Sequence, residues 1–278
     1  HLGMWQDIIE RYTVPGETIL DPMSGVGATL MAALMGRNVI CNEMEPHFID
    51  PMKASWAKMR QHPMLGYSLG EVLILRGDAR CLPLVSADAI ITSPPFQDQE
   101  PFADKEFNLH GTGPVRETQP SATGYTRPVD AIVSSPPYEG TVSTAENGID
   151  FDKKQPGGVL VPFEYGKGGN IGNQRGDAYW ESMRLCYQEC HRVLRPGGIM
   201  ALVLKGFTRN GVYQDLPQQT ADLVEALGFT LFDEWRRELW SLSFWRILQR
   251  RRSPETFDDR LNYESVLVFR KGDIPNAE

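Results

Sequence analysis

The chain has 278 residues, room for one sizeable α/β core and a small extra region, and its 41% hydrophobic and 23% charged residues are ordinary for a globular protein. No apolar run approaches the roughly 18–20 residues of a membrane span, and a net charge of −8 excludes a nonspecific coat for nucleic acid, so any such contact is confined to one face. The four cysteines (Cys41, Cys81, Cys186, Cys190) form no disulfide-like framework and fit a reducing cytoplasm best; no signal peptide is visible, but the first residue is His1 rather than Met, and a trimmed start takes targeting information with it.

Leu2, Trp5, Ile8 and Ile9 recur at helical spacing and predict a helix over 2–12, closed off by the Pro15-Gly16 turn. Thr18-Ile19-Leu20, ending at Asp21, reads as a short buried parallel strand, and a helix is expected from about Ala28 to the breaker Gly36. Asn38 to Cys41 is a second strand, ending near Glu43. After Pro46, the residues Phe48, Met52, Trp56 and Met59 share one helix face. Val72 to Leu75 is a third strand, ending at Gly77-Asp78, and Ala89-Ile90-Ile91 a fourth, ending at Ser93. Regular pattern is lost over 97–128 and again over 139–176, which read as inserted loops that either recognise a target or cover a cofactor; between them Ala131-Ile132-Val133 is strand-like.

An amphipathic helix is predicted over 178–194, with Met183, Cys186, Tyr187, Cys190 and Leu194 inward and Arg195-Pro196-Gly197-Gly198 as its stop. Ile199 to Leu204 is a buried strand and 216–227 a helix ended by Gly228. Phe229 to Leu239 and Glu264 to Phe269 have the period-2 character of two last strands. Strands alternating with helices predict a doubly wound, mostly parallel, seven-stranded Rossmann-like sheet in a single domain spanning 1–278. The last two strands lack a helix-length pattern between them and predict an antiparallel pair.

Asp21-Pro22-Met23-Ser24-Gly25-Val26-Gly27-Ala28-Thr29 lies between a strand and a helix, where a doubly wound sheet opens its ligand crevice. Gly25 and Gly27 remove Cβ atoms that would hold a ligand off the backbone. Without a third glycine the spacing is not a dinucleotide fingerprint, and alone it reads equally as a tight turn. Two carboxylates change the balance: Glu43 suits ribose hydroxyls, and Asp78 suits an adenine amino group. No phosphate-binding Lys follows the glycines, so a nucleoside without phosphates fits best.

A short internal echo pairs Asp88-Ala89-Ile90-Ile91-Thr92-Ser93-Pro94-Pro95-Phe96 with Asp130-Ala131-Ile132-Val133-Ser134-Ser135-Pro136-Pro137-Tyr138. Two consecutive prolines lock φ and carry no N–H, leaving carbonyl oxygens in a rigid, outward-directed array. A Ser hydroxyl and a Pro carbonyl so fixed accept two protons from one –NH2 group, and the aromatic residue that follows stacks on the ring bearing it. Either copy taken alone is more simply a Pro-Pro turn.

With these segments together the chain resembles the amino-methyltransferases of DNA, which modify cytosine N4 or adenine N6. In that family [DNS]-P-P-[YFW] is the catalytic motif and D-P-x-x-G-x-G the S-adenosylmethionine motif. The resemblance covers most of 1–96 and returns at 178–205, where His191 to Gly198 looks like the family's helix-to-strand turn. It implies a cofactor held by Asp21, Pro22, Met23, Ser24, Gly25, Gly27, Thr29, Glu43 and Asp78, with Met23 standing where an aromatic is usual. The Ser-Pro-Pro form is commonest among cytosine-N4 members, and a cofactor motif preceding the catalytic one is the order of a permuted subgroup. Spacing from Gly77-Asp78 favours Ser93, Pro94, Pro95 and Phe96 as the working copy, with Ser135, Pro136, Pro137 and Tyr138 as the alternate. No crossover-length helix separates the two copies, so their strands are not expected side by side.

The implied reaction is direct transfer of a methyl group to an exocyclic nitrogen, with Ser93 and Pro94 accepting its protons and Phe96 holding a base flipped out of DNA. It needs no metal, nucleophilic cysteine or strong base; Cys186 and Cys190, beside His191, have too few companions for a metal site and read as core. The stretch from Trp235-Arg236-Arg237 to Arg250-Arg251-Arg252 mixes aromatics with basic residues, which suits either nucleic acid or buried tryptophans on a solvated strand pair. Lys205 to Arg209 follows a strand end and reads as a substrate-cleft wall. The expected partner is DNA, with a companion restriction enzyme as a further one and no membrane. Rival readings are adenine N6, an RNA base amino group, a protein glutamine (whose enzymes favour Asn-Pro-Pro-Tyr), and a cofactor-binding module without catalysis.

Overall fold

The computed structural model describes residues 2–84, 128–136, 170–209, 212–239, 251 and 258–272. In chain order its strands are β1 (Thr18–Asp21), β2 (Asn38–Glu43), β3 (Val72–Arg76), β4 (Val129–Ser134), β5 (Leu194–Leu204), β6 (Phe207–Arg209), β7 (Val212–Gln214), β8 (Phe229–Glu238) and β9 (Tyr263–Lys271). Its α-helices are α1 (Leu2–Tyr12), α2 (Met31–Leu34), α3 (Pro46–Met59), α4 (Asp177–Val193) and α5 (Leu216–Ala226). Seven strands form one sheet in the order β3-β2-β1-β4-β5-β9-β8, while β6 and β7 make a separate antiparallel pair. β1 to β5 are mutually parallel, and β9 runs antiparallel between β5 and β8. The expected mixed sheet and its antiparallel closing pair are present.

Both faces of the central strands are covered, so alternate residues serve alternate cores. Leu20, Ile40, Ile132, Leu202 and Phe269 pack with Tyr179, Met183, Cys186, Tyr187 and Cys190 of α4 and with Leu216 and Val224 of α5. Ile19, Val39, Cys41, Ala131, Val133, Ala201 and Val203 face the other way, onto Met4, Trp5, Ile8 and Ile9 of α1 and Met52 of α3. The face predicted for α3 is only partly right: Ile49 and Met52 are its buried residues, and Phe48, Trp56 and Met59 are half-buried. Among the described residues, no helix is long and apolar enough to cross a membrane.

Three local features depart from the periodicity. The helix expected over 28–36 is a 3₁₀ turn at Ala28–Leu30 followed by the single α-turn of α2. The Arg195-to-Gly198 stop does end α4, but it loops out within β5, whose pairing with β4 jumps from Val129↔Leu194 to Ala131↔Ile199. Ala89-Ile90-Ile91 lies outside the described residues, as do most of the two predicted loops; the place between β1 and β5 is filled instead by Val129–Ser134.

Arg37 closes α1. Its guanidinium is 3% exposed and donates to the Thr13 carbonyl at 2.7 Å, the Met35 carbonyl at 2.6 Å and the Thr13 hydroxyl at 3.1 Å. Cations at a helix C-terminus satisfy carbonyls that have no intrahelical partner. Arg37→Met fills the same space but orphans those buried acceptors. It should cost about 3 kcal/mol, read as a lower urea midpoint at unchanged m-value.

Candidate active site

The chain reverses direction across the sheet between β1 and β4, and a doubly wound sheet opens its crevice at the carboxyl ends of such strands. The loop leaving β1 is held from within: Ser24 N–H donates to the Asn42 carbonyl at 3.0 Å, Ser24 Oγ to the Asp21 carbonyl at 2.9 Å, and Gly27 N–H to the Ser24 carbonyl at 2.8 Å. Gly25 (φ 51°) and Gly27 (φ 81°) adopt left-handed backbone that favours glycine. Their roles differ. A Cβ on Gly25 would meet open space, as a ligand-facing position requires; one on Gly27 would lie 2.7 Å from Met52 Cγ. Gly27 therefore also serves close packing of the loop on α3.

Asp21 ends β1 fully buried, accepting from Thr29 Oγ1 at 3.0 Å and more weakly from Met23 N–H at 3.3 Å. Burial raises its pKa from the ordinary 3.8 to about 7, against the lowering effect of those donors. The Ser134 hydroxyl, at the end of β4, lies close enough to lower that pKa without the geometry of a full hydrogen bond. Next to Asp21, burial pushes the Cys41 thiol up to about 12, so it is no nucleophile at neutral pH.

The sign of the Asp21 shift makes a prediction. The unfolded chain releases this proton near pH 4 and the folded chain holds it to about pH 7. Between those limits the native state binds more protons, so this carboxyl's contribution is fully present below pH 4 and lost as pH rises through 7. Asp21→Asn removes the dependence. The stability difference between variant and wild type, from urea titrations, should shift in the variant's favour by on the order of 4 kcal/mol between pH 4 and pH 8.

Glu43 ends β2 and is 8% exposed. Its Oε2 accepts from Gly25 N–H at 2.7 Å and its Oε1 from Glu45 N–H at 2.8 Å. Burial raises its pKa, these N–H donors oppose the shift, and the Glu45 carboxylate adds to it. A carboxylate offers about four lone-pair positions; the Gly25, Glu45 and Met44 N–H groups draw on three of them, which leaves acceptor capacity for a ligand hydroxyl. Asp78, expected to meet an adenine amino group, has another partner: Arg80 donates to both its oxygens, from Nε to Oδ1 at 3.0 Å and from Nη2 to Oδ2 at 2.6 Å. Asn42 was not anticipated individually. Its buried amide donates to the Pro22 and Gly77 carbonyls at 3.0 Å each, joining the loops after β1 and β3. A polar side chain inside an otherwise apolar strand was the signal for it.

Ser135 and Pro136 directly follow β4. Ser135 is exposed, and its hydroxyl donates to the Val203 carbonyl of β5 at 3.3 Å, while Pro136 is buried. A hydroxyl whose proton is committed inward presents its lone pairs outward. Pro137, Tyr138 and the whole of Ser93-Pro94-Pro95-Phe96 lie outside the described residues.

Of the other candidates, residues 240–250 and 252 lie outside the described residues, and the rest have packing partners. Cys186 and Cys190 are buried against Tyr179 and Tyr187, with their thiol pKa values raised by burial. Trp235 is half-buried; its indole N–H donates to Tyr12 Oη at 3.0 Å, and Arg11 stacks on its ring 5.0 Å from the centroid. It is thus tied to α1. Lys205 to Arg209 leads into β6, where a Cβ on Gly206 would lie 2.1 Å from Tyr213 Oη. Tyr213 of β7 thus packs against the backbone at Gly206, just past the end of β5.

No protein-family model and no curated protein matches the chain. Solved structures do. An S-adenosylmethionine-dependent methyltransferase from Methanosarcina mazei has 12% identity and a TM-score of 0.51, covering 96% of this chain and 98% of its own. The [4+2]-cyclase SpnF has 14% identity and a TM-score of 0.51, covering 98% of this chain and 81% of its own. The fold is that of the Rossmann-like methyltransferases. The second neighbour is described by a different chemistry, so function has to be argued from the site.

Proposed function

We propose that this chain is an S-adenosylmethionine-dependent methyltransferase acting on the exocyclic amino group of a nucleic-acid base, cytosine N4 of DNA before adenine N6 or RNA. The observation that carries it is the meeting of two motifs at one crevice. The glycine-opened loop after β1, backed by Glu43, adjoins a strand that is followed directly by Ser135-Pro136. The residues fit the cofactor: Gly25 opens to space where a Cβ would stand, and Glu43 keeps acceptor capacity for a hydroxyl of a ribose diol. Asp78 would reach an adenine amino group only by sharing its carboxylate with Arg80.

The same observation moves the working copy from the first tetrapeptide to the second, Ser135-Pro136-Pro137-Tyr138. Val129–Ser134 fills the sheet position between β1 and β5, so the first copy cannot end the strand there. Bound S-adenosylmethionine supplies an electrophilic methyl group. The amino nitrogen of a base is a poor nucleophile because its lone pair is delocalised into the ring. Ser135 Oγ and the Pro136 carbonyl would accept hydrogen bonds from its two N–H groups and draw that lone pair outward; as the N–CH3 bond forms, the methyl–sulfur bond would break, and the nitrogen would release one proton to solvent. These contacts strengthen as positive charge develops on nitrogen, which is stabilisation of the transition state. Tyr138 would hold the target ring. The four free thiols suit a reducing cytoplasm.

The test is transfer of labelled methyl from S-adenosylmethionine to DNA and to RNA, followed by nucleoside analysis. N4-methylcytosine from DNA is the expected product. Methylation at C5 would refute the amino-group chemistry, N6-methyladenine or an RNA product would move the substrate, and tight donor binding without transfer to any nucleic acid would leave a binding module.

A further inference from the structure

Asn170 connects the segment preceding α4 to the nucleoside end of the crevice. Its Nδ2 donates to Glu45 Oε1 at 2.7 Å, Glu45 N–H donates to Glu43 Oε1 at 2.8 Å, and Glu43 Oε2 accepts from Gly25 N–H at 2.7 Å. The same Asn170 accepts Gly172 N–H on Oδ1 at 2.8 Å, capping the 3₁₀ turn Ile171–Asn173. Asn170 and Glu45 are 9% and 6% exposed, so little water competes for this relay. Two carboxylates, Glu43 and Glu45, stand close enough for Glu45 to raise the pKa of Glu43.

We propose that Asn170 is a positioning residue for the nucleoside diol, a deepening of the reading above that rests on it. The amide fixes the Glu45 side chain. That fixes where the Glu45 backbone N–H points, and that N–H together with Gly25 N–H sets the plane of the Glu43 carboxylate. A carboxylate locked in its plane offers its remaining acceptor capacity to a hydroxyl of the diol without further ordering. The Asn170 amide also balances the Glu45 charge, which otherwise opposes ionisation of Glu43.

Asn170→Asp separates the two jobs of this side chain. It keeps an acceptor for Gly172 N–H but loses the donor and sets a carboxylate against Glu45. The readout is calorimetric binding of S-adenosylhomocysteine and of its 2′,3′-dideoxyribose counterpart, which lacks the diol. Wild type should prefer the diol ligand by about tenfold or more, the size of a charge-assisted hydrogen bond. Asn170→Asp should weaken the diol ligand by about tenfold while leaving the dideoxy ligand within about twofold, which collapses the preference. Unchanged preference in Asn170→Asp, or equal loss of both ligands, would overturn the positioning role. Failure of wild type to bind either ligand would instead sink the nucleoside reading, and this inference with it.

Discussion

Ser135→Ala is expected to lower kcat by about 10²–10³-fold with donor affinity unchanged, while Ser93→Ala keeps kcat within about twofold. The asymmetry follows from the sheet. The strand flanked by β1 and β5 delivers its carboxyl end to the crevice beside the ends of β1 and β2, and that strand is Val129–Ser134. Ser135 then emerges with its hydroxyl proton given to the Val203 carbonyl, so its lone pairs are free to accept from a substrate amino group. Removing the hydroxyl takes away an acceptor whose value grows as the nitrogen becomes positive, so the loss falls on kcat more than on KM. Single-turnover methylation with both variants, beside donor titration, measures it. Full activity in Ser135→Ala with collapse in Ser93→Ala would return the chemistry to the first copy.

The two copies explain where sequence reading reaches its limit. Ala89-Ile90-Ile91 and Ala131-Ile132-Val133 have the same apolar pattern, each preceded by Asp and followed by Ser-Pro-Pro. Periodicity cannot rank them. What distinguishes the second is tertiary: Asp130 accepts Thr18 N–H from β1 at 2.8 Å and Arg195 Nε from the β5 bulge at 2.6 Å, and Arg195 continues to Glu17 at 3.1 Å. Those partners lie 112, 65 and 178 residues apart along the chain. By contrast β1, β2, β5 and α4 were legible because each buries a continuous run or a helical stripe that no surface element tolerates. The loop after β1 was legible for a related reason, since glycines between a strand and a helix mark backbone that must turn tightly. That Gly27 answers to Met52 was not, because the contact comes from α3. Arg80, two residues after Asp78, was a local signal that a carboxylate assigned to a ligand already had a partner.

Glu43→Ala should weaken S-adenosylhomocysteine binding by at least about 100-fold, because one side chain serves the loop and the ligand together. Deleting it frees Gly25 N–H and Glu45 N–H, so the loop after β1 loses the contact that sets its height over the sheet, and the diol loses its acceptor. Glu43→Gln should fare nearly as badly: its amide oxygen satisfies one of the two N–H groups and its NH2 confronts the other. Acid should imitate the mutation. The Glu43 pKa is raised by burial, so as pH falls the carboxylate gains a proton earlier than an exposed glutamate would, turning one acceptor into a donor. Affinity in the wild type should therefore decline on acidification from neutral, while the residual affinity of Glu43→Ala stays flat over the same range. A wild-type affinity that holds constant down to the ordinary carboxylate range, in protein still folded by circular dichroism, would remove Glu43 from the ligand site.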